Sequence, residues 1–336
     1  MAKSSVYEVA ALAGVSIATV SRTLNQPHRV SENTRARVME AVRTLDYTPD
    51  YEAAARARHQ NDRVAVIAPM TTYPGFISRL KGVALALQER DSELIVFQVD
   101  ASRLNNPNYT KYIEALASSG RYDGFIIMSL PLGGQELNRL AETKFPVVLI
   151  ETNDPRFPTV QVNHRYGAQL ATQHLIDRGH KKLGFVGFVP LQDYSLNAPL
   201  QREESFIETI KKNGLEIYPE FIVHTEYDIY ATASALTEIL SREDRPTAIF
   251  CAADINALGA IRAANNLGLR IPEDIAIVGF DDIDMARYME LTTIHQPLEN
   301  SGREAVELIT KIIKNPTLSS SQEILLDLHL IVRGST

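Results

Sequence analysis

The chain contains a single cysteine, Cys251, among 336 residues. A lone cysteine excludes an intrachain disulfide and suits a reducing compartment. It lies in the apolar run AIFCAA (248–253), where a small buried hydrophobe is expected rather than a reactive thiol. No stretch approaches the roughly 18 apolar residues of a membrane span. The opening MAKSSVYEVA has neither the apolar core nor the cleavage site of an export signal, so a cytoplasmic protein is expected. Catalytic signatures are missing too. There is no G-x-S-x-G elbow, Walker loop, HExxH or clustered Cys/His spacing. LGFVGF (183–188) has two glycines in a strand-like run, without the G-x-G-x-x-G turn before a helix. His180, in DRGHKKLGF, reads as a hydrogen-bonded loop residue. Nothing calls for a metal or a cofactor, and a non-enzyme is expected.

The net charge of −7 conceals an asymmetry. Residues 1–60 hold eight Lys and Arg against six acids, whereas the rest holds 26 against 35. An acidic body is repelled from nucleic acid, while a mildly basic head can meet phosphates.

The head is patterned accordingly. In VYEVAALAGV (6–15), followed by SIATVSRTLN (16–25), the apolar positions Val6, Val9, Ala10, Ala13, Val20 and Leu24 recur at three- and four-residue spacing. That spacing predicts two short helices, each burying one stripe. Gly14 supplies the tight turn between them, and Ser16 can cap the second. The unburied side of helix two carries Ile17, Ala18, Ser21, Arg22 and Asn25. Small residues permit close approach to a major groove, and the Arg22 fork can pair with guanine O6 and N7. Pro27 ends this hairpin. Ser31 opens a third helix whose buried face is Thr34, Val38, Ala41, Val42 and Leu45.

The segment VYEVAALAGVSIATVSRTLNQPHRVSENTRARVMEAVRTLDYTP resembles the DNA-binding headpiece of the lactose-repressor (LacI/GalR) family of transcription regulators. The resemblance implies a helix-turn-helix headpiece over 1–47 and a hinge segment over 48–61. It also implies operator contacts from Tyr7, Ser16, Thr19, Ser21, Asn25, Ser31 and Thr34, mostly to phosphates, with Ile17 and Ala18 on base edges. In the family a hinge helix wedges a Leu into the minor groove. Here that position holds Arg56, and the Arg usual two residues earlier is Ala54. Arg56 can enter a narrow, negative A·T-rich groove but cannot act as an apolar wedge.

From Arg63 onward, apolar runs alternate with amphipathic helices in two series. The first comprises VAVIAPM (64–70), ELIVFQV (93–99), GFIIMSL (124–130), PVVLIE (146–151) and TVQVN (159–163). The second comprises KLGFVGF (182–188), EFIVH (220–224), TAIFCAA (247–253) and IAIVGFD (275–281). Continuous apolar strands between helices predict doubly wound parallel sheets, hence two α/β lobes. The body therefore resembles the periplasmic-binding-protein fold, joined by three crossovers. The expected division is 62–161 with 293–320 for the N-terminal lobe, and 162–292 with 321–336 for the C-terminal lobe.

In such sheets, ligands bind at the carboxyl ends of strands, between the lobes. Those ends present Glu151, Asp281 and Asp254, with Gln296 in a crossover, Arg202 opening a helix, and Tyr73, Phe76 and Tyr227 nearby. Asp254 is expected to cap the helix that follows it. The resemblance implies effector contacts at Glu151, Arg202, Tyr227, Ala253, Asp281 and Gln296. Carboxylates and a guanidinium suit vicinal sugar hydroxyls, and aromatic rings suit a pyranose face, so a saccharide effector is expected. AIFCAADINALGA and TTIHQP also resemble purine-responsive relatives, which leaves a nucleobase as the alternative. A transport-type sugar-binding protein should have an export signal and no recognition helix. One recognition helix per chain and a palindromic operator call for a homodimer. The chain has no leucine-heptad tail, so no tail-mediated tetramer is expected. Arg22→Ala should weaken operator binding by roughly 1–3 kcal/mol and relax one base position. Competition binding with operator and scrambled duplexes reads this, and an unchanged preference for operator would refute it.

Overall fold

A computed structural model describes residues 5–25, 27–47, 63–69, 71–99, 107–130, 134–143, 145–188, 197–315 and 322–336. The chain divides into two compact units, Met1–Asn61 and Asp62–Thr336.

In the first unit, three helices pack around a small core: α1 (Val6–Ala13), α2 (Ile17–Asn25) and α3 (Glu32–Thr44). Val9, Val20 and Val38, one from each helix, are fully buried together with Ala10, Ala13 and Ala41. Gly14 leaves α1 in the left-handed region at φ +61°, as the tight turn required.

The second unit contains two six-stranded sheets. The first has the order β11-β5-β4-β3-β1-β2. Its strands are β1 (Arg63–Ala68), β2 (Glu93–Gln98), β3 (Gly124–Met128), β4 (Val147–Ile150), β5 (Thr159–Val162) and β11 (Glu323–Leu326), all parallel. The second has the order β12-β10-β9-β8-β6-β7. It is built from β6 (Leu183–Phe188), β7 (Ile222–Thr225), β8 (Ala248–Cys251), β9 (Ala276–Asp281), β10 (Thr292–His295) and β12 (His329–Ile331). Only β12 runs antiparallel, against β10. The central strands are wholly buried, which is why they read as unbroken apolar runs.

The helices between strands are α4 (Pro74–Gln88), α5 (Pro107–Ser118), α6 (Gly134–Glu142), α7 (His164–Asp177), α8 (Asn197–Lys212), α9 (Ile229–Leu240), α10 (Asp254–Asn266), α11 (Asp284–Tyr288) and α12 (Leu298–Lys314). The short α11 was not anticipated from the sequence. In each sheet the strand order reverses beside the first strand, between β1 and β3 and between β6 and β8. Those reversals leave a crevice at the carboxyl ends of the strands.

The late chain departs from the expected lobe division in two places. β10 falls in the 293–320 portion assigned to the first lobe, yet it pairs with β9 of the second sheet, Thr293 opposite Gly279. β11 falls in the 321–336 portion assigned to the second lobe, yet it extends the first sheet beside β5, Glu323 opposite Thr159. As sequence, EILLDLHLIVR (323–333) reads as one continuous apolar strand. It is two, interrupted at Asp327 and Leu328, because each sheet still had one open edge to cover. The three crossovers therefore lie near 162–164, 295–298 and 326–329.

Helices α4 and α12 cross closely enough that their backbones need glycine. A Cβ on Gly302 would sit 2.2 Å from the Arg79 carbonyl oxygen, and one on Gly82 would sit 1.9 Å from the Glu299 carbonyl oxygen. Gly302→Ala should destabilise the second unit by roughly 1–3 kcal/mol, because backbone rather than a pliable side chain stands in the way. Urea unfolding followed by circular dichroism checks this, and an unchanged midpoint would contradict the close crossing.

Candidate functional site

Two sites are built, one in each unit. In the first unit, side-chain caps position the helices. Ser5 Oγ accepts the Glu8 N–H at 3.3 Å, and a Glu8 carboxylate oxygen accepts the Ser5 N–H at 2.6 Å. Ser16 Oγ accepts the Thr19 N–H at 3.2 Å, and Ser31 Oγ accepts the Thr34 N–H at 3.4 Å. Ser16, Thr19, Ser31 and Thr34 thus hold the starts of α2 and α3. Arg37 was not anticipated. It donates from Nε to the Ala13 carbonyl at 3.1 Å and from Nη2 to the Gly14 carbonyl at 3.0 Å. It thereby ties α3 to the turn that sets the angle of α2. Its partners lie 23 and 24 residues away, so no local pattern could show them.

With Val20 fully buried, α2 presents Ile17, Ala18, Ser21 and Arg22 outward. Ile17 is 39% exposed and Tyr7 on α1 is 70% exposed. Asn25 closes α2. Arg56, with the whole 48–61 segment, lies outside the described residues.

In the second unit, all eight anticipated cleft residues line one cavity of about 420 Å³: Tyr73, Phe76, Glu151, Arg202, Tyr227, Ala253, Asp281 and Gln296. Tyr73, Ser129 and Ala253 follow β1, β3 and β8, and Phe188 ends β6, so the wall is made where the strand order reverses. Three strand-end residues on this wall have left-handed backbones: Ser129 at φ +48°, Glu151 at +57° and Asp281 at +120°. Strain of that kind persists only where packing holds it and turns side chains toward the crevice.

A buried polar relay runs through the wall. Arg79 Nη2 donates to Glu151 Oε1 at 3.2 Å. His164 Nε2 lies 2.6 Å from Glu151 Oε2, and Arg202 Nη2 donates to His164 Nδ1 at 3.1 Å. Because a guanidinium can only donate, Nδ1 must accept, and the imidazole is neutral with its proton on Nε2. Burial lowers the His164 pKa, and the two arginines lower it further, against the pull of Glu151. Burial would raise the Glu151 carboxyl, but His164 and then Arg79 outweigh it and hold the group ionised. Arg202 also donates to the Ala252 carbonyl, lies 3.8 Å from Asp281 Oδ1 and packs 3.5 Å over the Phe280 ring. The Gln296 amide nitrogen donates to Asp281 Oδ1 at 3.3 Å, and its oxygen accepts from Arg79. At the cavity wall, Tyr73 and Tyr227 stack with centroids 4.5 Å apart and planes 5° apart, and Phe188 meets Tyr227 edge-on.

Arg79 and His164 escaped the sequence reading. Arg79 falls on the buried stripe of α4 with Phe76, Val83 and Ala86, and a charge on an apolar stripe is the signal that could have marked it. His164 follows the Asn163 cap directly and enters the relay only through the first crossover. Asp254 does not cap its helix. Ala253 holds the N-cap position, while Asp254 accepts the Ile283 N–H at 2.9 Å and the Thr293 hydroxyl at 2.6 Å, tying α10 to the chain beyond β9 and to β10. His180 bonds Thr247 across a loop at 3.0 Å, and Cys251 is buried with its thiol pKa raised by burial. No group of His, Cys, Asp and Glu able to hold a metal is found among the described residues, and no helix among them is long and apolar enough to cross a membrane.

A helix-turn-helix with an open second helix, together with a two-sheet α/β unit holding a polar cleft, defines a modular DNA-binding regulator. Residues 5–50 match the bacterial regulatory proteins of the lacI family, and residues 172–336 match the periplasmic binding protein-like domain. The HTH-type transcriptional repressor PurR of Photorhabdus laumondii is 32% identical over 318 residues, 93% of this chain and 91% of the relative. The corresponding PurR of Aliivibrio salmonicida is 31% identical over 317 residues, 93% of each. Among solved structures, the lac repressor dimer bound to operator and the anti-inducer ONPF gives a TM-score of 0.81 at 25% identity, covering 100% of this chain and 99% of that one. The CelR–cellobiose complex gives 0.70 at 27% identity, covering 99% and 100%. The chain belongs to the lacI family of bacterial regulatory proteins: it is a DNA-binding transcription regulator and not an enzyme.

Burial raises the Asp281 carboxyl to about 6, against the opposing pull of Arg202 and Arg79. A folded-state pKa above the unfolded value of 3.8 stabilises the fold below that value, and this contribution is lost as pH rises through about 6. Asp281→Asn keeps the neutral form at every pH. Its melting temperature relative to wild type should therefore climb from about pH 4 to about pH 6 and level off above that. A difference that is flat or falling across that range would contradict the shift.

Proposed function

We propose that this regulator is a cytoplasmic repressor that binds a palindromic operator as a homodimer and answers to a small sugar-like effector in the cleft. The reading rests above all on the cleft. Eight residues expected from strand ends, a helix start, a crossover and the family resemblance line a single cavity, where two carboxylates, a guanidinium and an amide face aromatic rings. Vicinal hydroxyls can both donate to Asp281 and accept from Arg202, while the ring's apolar face packs on Tyr73, Phe76 or Tyr227. Structural relatives captured with cellobiose and ribose favour the same chemistry for this chain.

On the operator, Arg22 reads a guanine, and Ile17 and Ala18 touch base edges or a thymine methyl. Tyr7, Ser16, Thr19, Ser21, Asn25, Ser31 and Thr34 set the register on phosphates, and Arg56 enters the minor groove. Two recognition helices about one helical turn apart require two copies of the chain.

A nucleobase is the second reading. It is favoured by the near-parallel Tyr73 and Tyr227 rings, which offer planar faces, and by relatives named PurR.

The switch is a change in lobe closure, coupling the cleft to the operator by about 1–3 kcal/mol in either direction. Thermal-shift screening with saccharides and purines identifies the effector, since ligand at 100 times its Kd adds about 2.7 kcal/mol of stability. Titrating that compound with and without operator should give affinities differing by the factor it imposes on DNA binding. Equal affinities would overturn the coupling, and the sign of the shift separates an inducer from a corepressor.

A further inference from the structure

The hydrogen-bonding inventory of the cavity is unbalanced. Arg79 Nε, Arg202 Nε and Gln161 Nε2 are buried without a hydrogen-bond partner among the described residues, and all three residues line the cavity. Arg79 and Arg202 are only 6% and 5% exposed. Every one of these orphaned atoms is a donor. The carboxylates beside them are already in use in part: Glu151 takes Arg79 on one oxygen and His164 on the other, and Asp281 Oδ1 takes Gln296. The one orphaned buried acceptor among the described residues, Asn256 Oδ1, is not part of the cavity lining.

Three helix starts add backbone donors to the same wall. α4, α10 and α12 begin at this cavity, contributing Tyr73 with Gly75, Ala253 and Leu298 to its wall. Their N-cap residues are Tyr73, Ala253 and Pro297, and none supplies a side-chain cap. Elsewhere, α1 and α3 are capped by Ser5 and Ser31, α7 and α9 begin beside the lining residues His164 and Tyr227 with caps from Asn163 and Asp228, and α11 away from the cavity has no side-chain cap. Three uncapped helix ends bring orphan N–H groups and the positive ends of three dipoles to one place.

We propose that the effector is an anionic saccharide, a sugar acid or a sugar phosphate. Its charged oxygens take the free donors of Arg79, Arg202 and Gln161, and its hydroxyls donate to Asp281. A hydroxyl that accepts from one of these donors still carries a proton that needs an acceptor of its own, whereas a carboxylate or phosphate brings acceptors alone. This deepens the reading of the cleft as an effector site and rests on it.

Isothermal titration of the full chain against matched sets tests the charge. One set is glucose, glucuronate, gluconate and glucose 6-phosphate; another is galactose, galacturonate and galactose 1-phosphate; adenine, guanine and hypoxanthine complete the panel. At least one acid or phosphate should bind tenfold or more tightly than its neutral parent, and the carboxylate and phosphate arms decide between the two anions. Gln161→Leu removes an orphaned donor without stranding a partner, and it should cut that preference severalfold while the neutral parent is little affected. Arg79→Gln should do so more strongly. If it fails to fold because Glu151 is left unpaired, Gln161→Leu alone carries the test. Neutral parents binding as tightly as their anions, or a preference unaltered in every folded variant, overturns the anionic proposal and leaves the effector site standing. Binding of nucleobases alone, or of nothing in the panel, overturns the saccharide reading itself.

Discussion

The second unit depends on a line of buried polar groups that neither lobe holds alone. Arg79 and Glu151 belong to the first sheet's lobe, Arg202 and Asp281 to the second, and His164 and Gln296 to the crossovers between them. Two guanidiniums face two carboxylates with a neutral imidazole between. A buried ion pair of this kind adds little net stability, but removing one partner costs about 3–5 kcal/mol because a charge is stranded. The relay therefore acts less as cement than as a constraint. It admits few relative placements of the two lobes, and every one of them must keep those six side chains in register.

That constraint explains why cleft and lobe angle form a single variable. A ligand that bonds to Arg202 or Asp281 competes with bonds that cross from one lobe to the other. It must either replace them or redistribute them. Interfaces packed in this way switch between discrete arrangements rather than bending continuously. The relay's two carboxylates, Glu151 and Asp281, stand on left-handed backbones at strand ends.

Much of this was visible in the residues, and the failures share one cause. The headpiece could be read because its signals are local: a 3.6-residue apolar stripe, a turn glycine, a serine cap. The two sheets could be read because buried parallel strands are apolar throughout. The cleft residues could be read because strand ends are places that fold topology assigns in advance. What escaped was non-local. Arg37 reaches back to Ala13, and Arg79 and His164 meet at Glu151, 72 and 13 residues away along the chain. Asp254, a natural helix cap by position, turns away to satisfy Ile283 and Thr293. The late strands were misplaced because a four-residue apolar run carries no mark of the sheet it will join, and the choice is made by whichever edge is still open.

The way β11 and β12 part company at Asp327 has a consequence for inheritance. The two lobes are sewn through one another: β10 belongs to the second, α12 and β11 to the first, and β12 with buried Ser335, bonded to Ile277 and Thr292, to the second again. No single crossover between two homologous genes can exchange one lobe cleanly, since any breakpoint divides a sheet. The sensing half of such a regulator is thereby obliged to diversify by point substitution along the cleft, with both lobes descending together.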